Sequence, residues 1–326
     1  MERRAFLTGA GAAVAAGMGA KLVRDETGQM RATTLIAQAS SYDRDLESIL
    51  RSGLVELGIG PESICGRSIL LKPNLVEPNS ETPHINTHPL VVRAAAEVFR
   101  GFGATRVVVA EGPGHCRDAQ FVLEQSSFDE ILQGARLEFV DLNHDDLIVV
   151  PNRLRKTNLS HLALPATLTQ FDWIVSMPKM KTHHWAGVTL SMKNLFGVMP
   201  GVYYGWPKNV LHHAGIPGSI LDINAAVGAH LAIVDGIVGM EGDGPIMGTP
   251  KALGVLVMGT NLPAVDATCA RLMRIAPERV AYLSGAAAGG LGPIDEDRIE
   301  QRGELIASMA QTFRLLDHPS LARLRA

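Results

Sequence analysis

Residues 107–114 read V-V-V-A-E-G-P-G, an apolar run that breaks abruptly into an acid and a glycine–proline turn. Four consecutive apolar residues with no polar alternation fit a strand buried on both faces. Working outward, residues 68–71 form a second short apolar strand, running into Lys72-Pro73-Asn74. Between them His88-Pro89 opens a helix that continues through Phe99, with proline in the first turn, where it is tolerated. Gly101 and Gly103 close it.

The same rhythm continues along the chain. Strands are expected at residues 32–39, 137–140, 147–150, 173–177, 231–234 and 254–258, and helices at 43–57, 220–227, 263–273 and 304–324. Strands alternating with helices predict an α/β fold, a largely parallel sheet with helices on both faces and an elaborated middle segment. One such domain over residues 21–326 is the simplest organisation, with a division into two sub-domains near 150–175 left open.

The 326 residues carry a formal net charge of −3, with 46% hydrophobic and only 5% aromatic residues. That balance allows a sizeable core and makes no electrostatic case for nucleic acid or an anionic membrane surface. Cys65, Cys116 and Cys269 are too scattered for a disulfide framework or a thiolate cluster, although one disulfide remains open.

The first twenty residues read as an address. Arg3-Arg4-Ala5-Phe6-Leu7 is similar to the core of twin-arginine signals, and residues 9–20 are uncharged and rich in Gly and Ala. The stretch is shorter than the roughly 20 apolar residues needed to cross a bilayer. Cleavage near Ala20 would release a mature chain from Lys21, exported by the twin-arginine machinery to a periplasmic or other extracytoplasmic space, with no membrane span remaining.

In parallel α/β sheets, ligands collect beyond the carboxyl ends of the strands. That rule selects Lys72 and Asn74, Glu111 to His115, Lys179 to His184, and the acid- and glycine-rich stretch from Asp235 to Gly248 as loops. Residues 178–201, P-K-M-K-T-H-H-W-A-G-V-T-L-S-M-K-N-L-F-G-V-M-P-G, are the richest in reagents. Their Lys179, Lys181, His183, His184 and Lys193 are interleaved with apolar residues rather than acids, which suits a basic pocket for a small anion. His115, His183, His212 and His213 are candidate acid–base groups or metal ligands. Glu241 and Asp243 suit a cation or hydroxyl, though a tight turn alone would account for the glycines around them. Asp266 stands near the start of a helix, whose positive end it would favour.

Five segments together resemble the domain of unknown function 362 family: residues 70–76, 107–114, 178–197, 232–245 and 261–273. They follow one another in order through the mature chain. Many members of that family carry a ferredoxin-like iron–sulfur module; this sequence has none. A fainter similarity is to lactate racemase-type proteins, which hold a nickel-pincer cofactor on a lysine. His183-His184-Trp185-Ala186-Gly187 leads to Lys193 much as their H-x-F-A-G-x-x-x-x-x-K pattern does, and the turn 112–117 resembles the one bearing their catalytic histidine. Ser191-Met192 departs from their glycine pair, as does the spacing to the last histidine. That resemblance implies His115 and His183 as an acid–base pair and Lys193 as the cofactor or substrate holder. It also implies His212 or His213 as a ligand to nickel or iron; the basic pocket itself would bind the substrate through Lys72, Asn74, Lys179, Lys181 and Asn194. An isomerase- or oxidoreductase-like enzyme acting on a small carboxylate is therefore expected. The alternative is a non-catalytic exported protein that binds or matures an anion or cofactor.

Overall fold

A computed structural model describes residues 23–24 and 30–325. The twin-arginine stretch and its cleavage site lie outside the described residues. The strands are β1 (Val23–Arg24), β2 (Met30–Gln38), β3 (Ser68–Pro73), β4 (Arg106–Glu111), β5 (Glu138–Asp141), β6 (Leu147–Pro151) and β7 (His161–Pro165). They continue with β8 (Trp173–Met177), β9 (Lys179–His183), β10 (Gly187–Thr189), β11 (Leu231–Glu241), β12 (Thr249–Gly259) and β13 (Ile299–Gly303).

The main sheet runs β2-β12-β11-β8-β3-β4-β5, with β13 and β1 on the outer side of β2. Pairs β11–β8, β8–β3, β3–β4 and β4–β5 are parallel, while β12 runs against both its neighbours. The fold is thus α/β with a mostly parallel, mixed sheet. Alternation along each strand divides the core: Val108 and Ala110 of β4 join Leu70, Ile174 and Val234 on one face, and Val107 and Val109 join Leu71, Val175 and Ile233 on the other. Each of the valine, leucine and isoleucine side chains stabilises the fold by about 1.5–3 kcal/mol through burial. The unbroken V-V-V-A run follows directly from two buried faces.

Helix starts follow local chemistry. Asp45 accepts from the Ser48 N–H at 3.0 Å before the helix Leu46–Glu56, and His88 Nδ1 accepts from Leu90 N–H at 3.3 Å before Pro89–Gly101. Asn261 does the same for Leu262–Leu272. Pro83, Pro89 and this capping role keep His84 and His88 off a shared helical face.

Several expectations need correction. Residues 304–324 form only two single turns, Ile306–Met309 and Pro319–Ala322, rather than one terminal helix. Residues 235–241 are not loop but the second half of β11, paired with β12 as far as Glu241↔Thr249. Lys179 to His183 form β9, a fully buried strand, rather than a strand-end loop. The strand at 147–151 pairs only with β7, in a separate antiparallel hairpin. Among the described residues no helix is long and apolar enough to cross a membrane.

The chain builds β3, β4 and β5 in one direction and then places β8 on the opposite side of β3. That reversal creates the crevice at which parallel sheets bind ligands. Lys72 on β3 and Ser176 on β8 are directly paired across it.

Candidate functional site

Two ion pairs floor the crevice. Lys72 Nζ meets Glu111 Oε2 at 2.5 Å and donates to Asn194 Oδ1 at 2.9 Å and to the Pro73 carbonyl at 2.8 Å. Glu111 also accepts the N–H of Leu75 at 3.2 Å and of Gly112 at 2.8 Å. Asn194 returns hydrogen bonds to the Lys72 carbonyl and to Ser176 Oγ, both at 3.0 Å, tying β3 to β8. Burial pulls the Lys72 ammonium pKa down, and Glu111 opposes the shift. In the second pair Lys179 Nζ meets Asp235 Oδ2 at 2.6 Å and donates to the Tyr42 hydroxyl at 2.9 Å. Tyr42 stacks on His88 with ring centroids 3.7 Å apart, and the His88 backbone N–H also reaches Asp235. Burial pushes the His88 imidazole down to about 4.

Two of the three lysines expected to contact an anion, Lys72 and Lys179, are therefore each committed to an internal carboxylate. Lys181 is different. It is fully buried and donates to the carbonyls of Ile85 at 2.6 Å and Pro245 at 3.2 Å, with no carboxylate partner among the described residues. Burial, then repulsion from Lys179, Lys193 and Lys72, holds its pKa well below the usual lysine value.

Lys193 lies on the single turn Ser191–Asn194. Its Nζ stands 4.0 Å from the centroid of the Phe196 ring and has no hydrogen-bond partner among the described residues. The residue is half-buried. Burial foremost, with repulsion from Lys72, pulls its pKa down to about 7. An amine with that pKa is largely deprotonated just above neutrality, as a nucleophile must be.

Asp266 is what places this turn. Its carboxylate accepts the Ser191 N–H at 2.7 Å, the Ser191 hydroxyl at 2.5 Å, the Met192 N–H at 3.1 Å and the Tyr282 hydroxyl at 3.2 Å. It therefore serves the turn that bears Lys193, not the start of its own helix as expected. Complete burial outweighs those donors and raises its pKa to about 7.

The histidines divide by position. His183 is buried, and its Nδ1 accepts the backbone N–H of Trp185 at 3.1 Å and Ala186 at 3.3 Å. With Nδ1 so occupied, the proton sits on Nε2. Burial, followed by the charges of Lys193, His184 and Lys181, keeps its pKa well below that of free imidazole. Such a ring is a neutral hydrogen-bond donor rather than a base. His212 is the complement. Its Nδ1 faces the Lys208 carbonyl at 3.0 Å, so Nδ1 donates and Nε2 keeps its lone pair. His212 contacts the same Phe196 ring as Lys193, at 5.5 Å between centroids, and also Trp185 at 5.8 Å. Burial lowers its pKa, and Lys193 adds to the shift. His115 sits exposed at the rim, 4.0 Å from the Glu77 carboxylate. His184 pairs with Asp243 at 3.2 Å, and His213 is exposed.

One expected member lies apart and another faces away from the ion pair's partners. Glu241 is held by the C-terminal segment, through Arg314 Nε at 2.8 Å and Arg314 N–H at 2.9 Å. Asn74 sits between Pro73 and Leu75, which bond to Lys72 and Glu111, but its backbone N–H goes to Thr87 and its buried Oδ1 has no partner among the described residues. Sequence reasoning missed Tyr42, Asn143 and Lys208. Lys208 is buried and donates to Asn143 Oδ1, which also accepts the Gly201 N–H at 3.0 Å. Burial lowers its pKa to about 8. The one available signal was Trp206-Pro207-Lys208, a lysine following a proline turn just before the paired histidines.

Among the described residues no group of three or more His, Cys, Asp or Glu side chains could hold a metal ion. Lys193 and His212, both in contact with the Phe196 ring, instead offer one amine and one imidazole lone pair. Such a donor set fits a metal delivered within a lysine-held cofactor, not a bare ion in a protein cage.

The chain belongs to the family described as Domain of unknown function (DUF362), whose profile matches residues 69–271. Those residues include both ion pairs, Lys193, His212 and Asp266. A thylakoid-associated protein of Synechocystis is 27% identical over 267 residues, covering 81% of each chain. Among solved structures, the lactate racemase apoprotein of Thermoanaerobacterium thermosaccharolyticum is 13% identical, with a TM-score of 0.45 over 73% of this chain and 57% of its own. A protein from Thermotoga maritima is 14% identical, with a TM-score of 0.40 over 68% of this chain and 58% of its own. The chain thus spans less than two thirds of either structure.

Proposed function

We propose that the protein is an exported enzyme acting on a small carboxylate or similar anion, with Lys193 as the group that holds the substrate or a cofactor. The observation that carries this is the Lys193 amine: half-buried, free of hydrogen bonds, with a pKa near 7, among lysines otherwise bonded internally. A buried amine poised this way suits covalent attachment through an imine or amide. His183 donates its Nε2–H to the negative end of the ligand, and the free Nε2 of His212 accepts a proton, with His115 at the rim as a second acid–base group. Were a lysine-held nickel or iron cofactor attached to Lys193 instead, it would take the His212 Nε2 lone pair as a ligand, leaving His115 as the proton acceptor, and would supply a hydride or electron acceptor that side chains lack. Arg3 and Arg4 support export, and the thylakoid association named for the Synechocystis relative is in keeping with work at or beyond a membrane.

The test is intact mass under denaturing conditions, with elemental analysis, on protein isolated from its native compartment and on Lys193→Met. Added mass mapping to Lys193, with or without stoichiometric metal, supports the reading. Unmodified protein whose anion binding survives Lys193→Met contradicts it. Binding that depends on Lys193 without any turnover would favour a non-catalytic carrier or maturation protein.

A further inference from the structure

Trp185 is 66% exposed, yet its position is closely set. It lies in the turn between β9 and β10, which are paired at His183 and Gly187. His183 Nδ1 accepts the Trp185 N–H at 3.1 Å and the Ala186 N–H at 3.3 Å, and Gly187 closes the turn with a φ of +83°. The indole stands edge-on to two imidazoles, with centroids 4.6 Å from His184 and 5.8 Å from His212. His184 is itself held by Asp243 at 3.2 Å. A lone exposed apolar side chain is ordinary on a protein surface. One locked by its own turn and by two neighbouring rings is a preformed contact surface, because little side-chain freedom remains to be lost on binding.

A run of contacts leads from that ring to the Lys193 amine. His212 touches both Trp185 and the Phe196 ring, the latter at 5.5 Å between centroids, and Lys193 Nζ stands 4.0 Å from the same Phe196 centroid. Burial holds the His212 imidazole below its usual pKa, so the ring stays uncharged near neutrality. Three rings in consecutive contact therefore link the amine to the surface, and an apolar group packs on such rings better than a second charge would.

Resting on the reading of Lys193 as the group that holds the ligand, we infer that the substrate carries an aromatic group beyond its carboxylate, and that Trp185 is the specificity-determining residue that packs against it. The carboxylate end lies toward Lys193 and the aromatic end toward the rim.

The experiment compares acetate with phenylacetate, 3-phenylpropionate and 4-phenylbutyrate, acids of increasing reach, by calorimetry on the full chain. The measurements are made at pH 6.5, where the Lys193 amine is mostly protonated. At least one aromatic acid is expected to bind about tenfold or more tightly than acetate. Trp185→Ala, checked for native circular dichroism, is expected to bring that ratio toward one, and Trp185→Phe to keep most of it. Aromatic acids that bind no tighter than acetate, or a preference that survives Trp185→Ala, would overturn the inference while leaving an anion site at Lys193. Binding that is indifferent to Lys193→Met, or no binding of any of the four acids, would overturn the functional reading itself.

Discussion

Gly197 lies over Glu111 so closely that a β-carbon on the glycine would stand 2.0 Å from Glu111 Oε1. The same atom would stand 2.7 Å from Lys72 Nζ, and the Gly197 carbonyl accepts the Gly112 N–H at 3.0 Å. The backbone at this position is a lid on the buried ion pair, and only glycine leaves it room.

Gly197→Ala is therefore expected to force the Lys72–Glu111 pair apart or lift the lid. Either response costs about 2 kcal/mol or more. Urea unfolding monitored by tryptophan fluorescence measures it. A change within a few tenths of a kcal/mol would mean the lid is not closed in solution.

Lys193 links stability to pH. Its folded pKa near 7 lies below the ordinary 10.5, so the folded chain binds fewer protons than the unfolded chain between those values. Stability from this group rises as pH climbs from 7 toward 10.5, and its full cost is felt below 7. Lys193→Met removes that cost. The variant is expected to be more stable than the wild type at pH 6, with the gap closing by pH 10, while anion binding is lost. Denaturant midpoints across that range check the sign.

His183 is fixed in one tautomer by the N–H groups of Trp185 and Ala186. Nitrogen-15 spectra of the imidazole are expected to show a proton on Nε2 and none on Nδ1. Its charges and burial keep it neutral, so those signals should not titrate between pH 5 and 8. A midpoint near 6.5 would return His183 to the role of an ordinary acid–base group.

Much of the fold was legible because the apolar runs were unbroken. The strand expected at 173–177 matches Trp173–Met177, and that expected at 68–71 falls within Ser68–Pro73. The failures share a cause. Lys179, Lys181 and Asp235 are polar letters, and polar letters read as loops, yet here they pair inside strands where the solvent cost is offset by internal partners. The final segment has helix-forming residues, but its backbone follows tertiary contacts, among them Arg314 with Glu241 and Phe313 in the core.

The candidate site was legible by residue type and not by role. Lys72 and Asn194 were selected as anion-binding, Lys193 as the holder of cofactor or substrate and Glu111 as a strand-end loop residue, but no spacing in the sequence reveals that Glu111 already answers Lys72. Nor could Asp266, more than seventy residues from Ser191, be seen as the support of the turn that carries Lys193.

The central claim is that Lys193 carries a reactive amine near neutrality. The most direct measurement is brief acylation of recombinant protein, shown by mass to be unmodified at Lys193, at a series of pH values from 5 to 11. Labelling is then read lysine by lysine after digestion. Lys193 is expected to reach half of its maximal labelling rate near pH 7, well below the ordinary lysine value of 10.5. A Lys193 midpoint near 10.5, like an ordinary surface amine, would contradict the account.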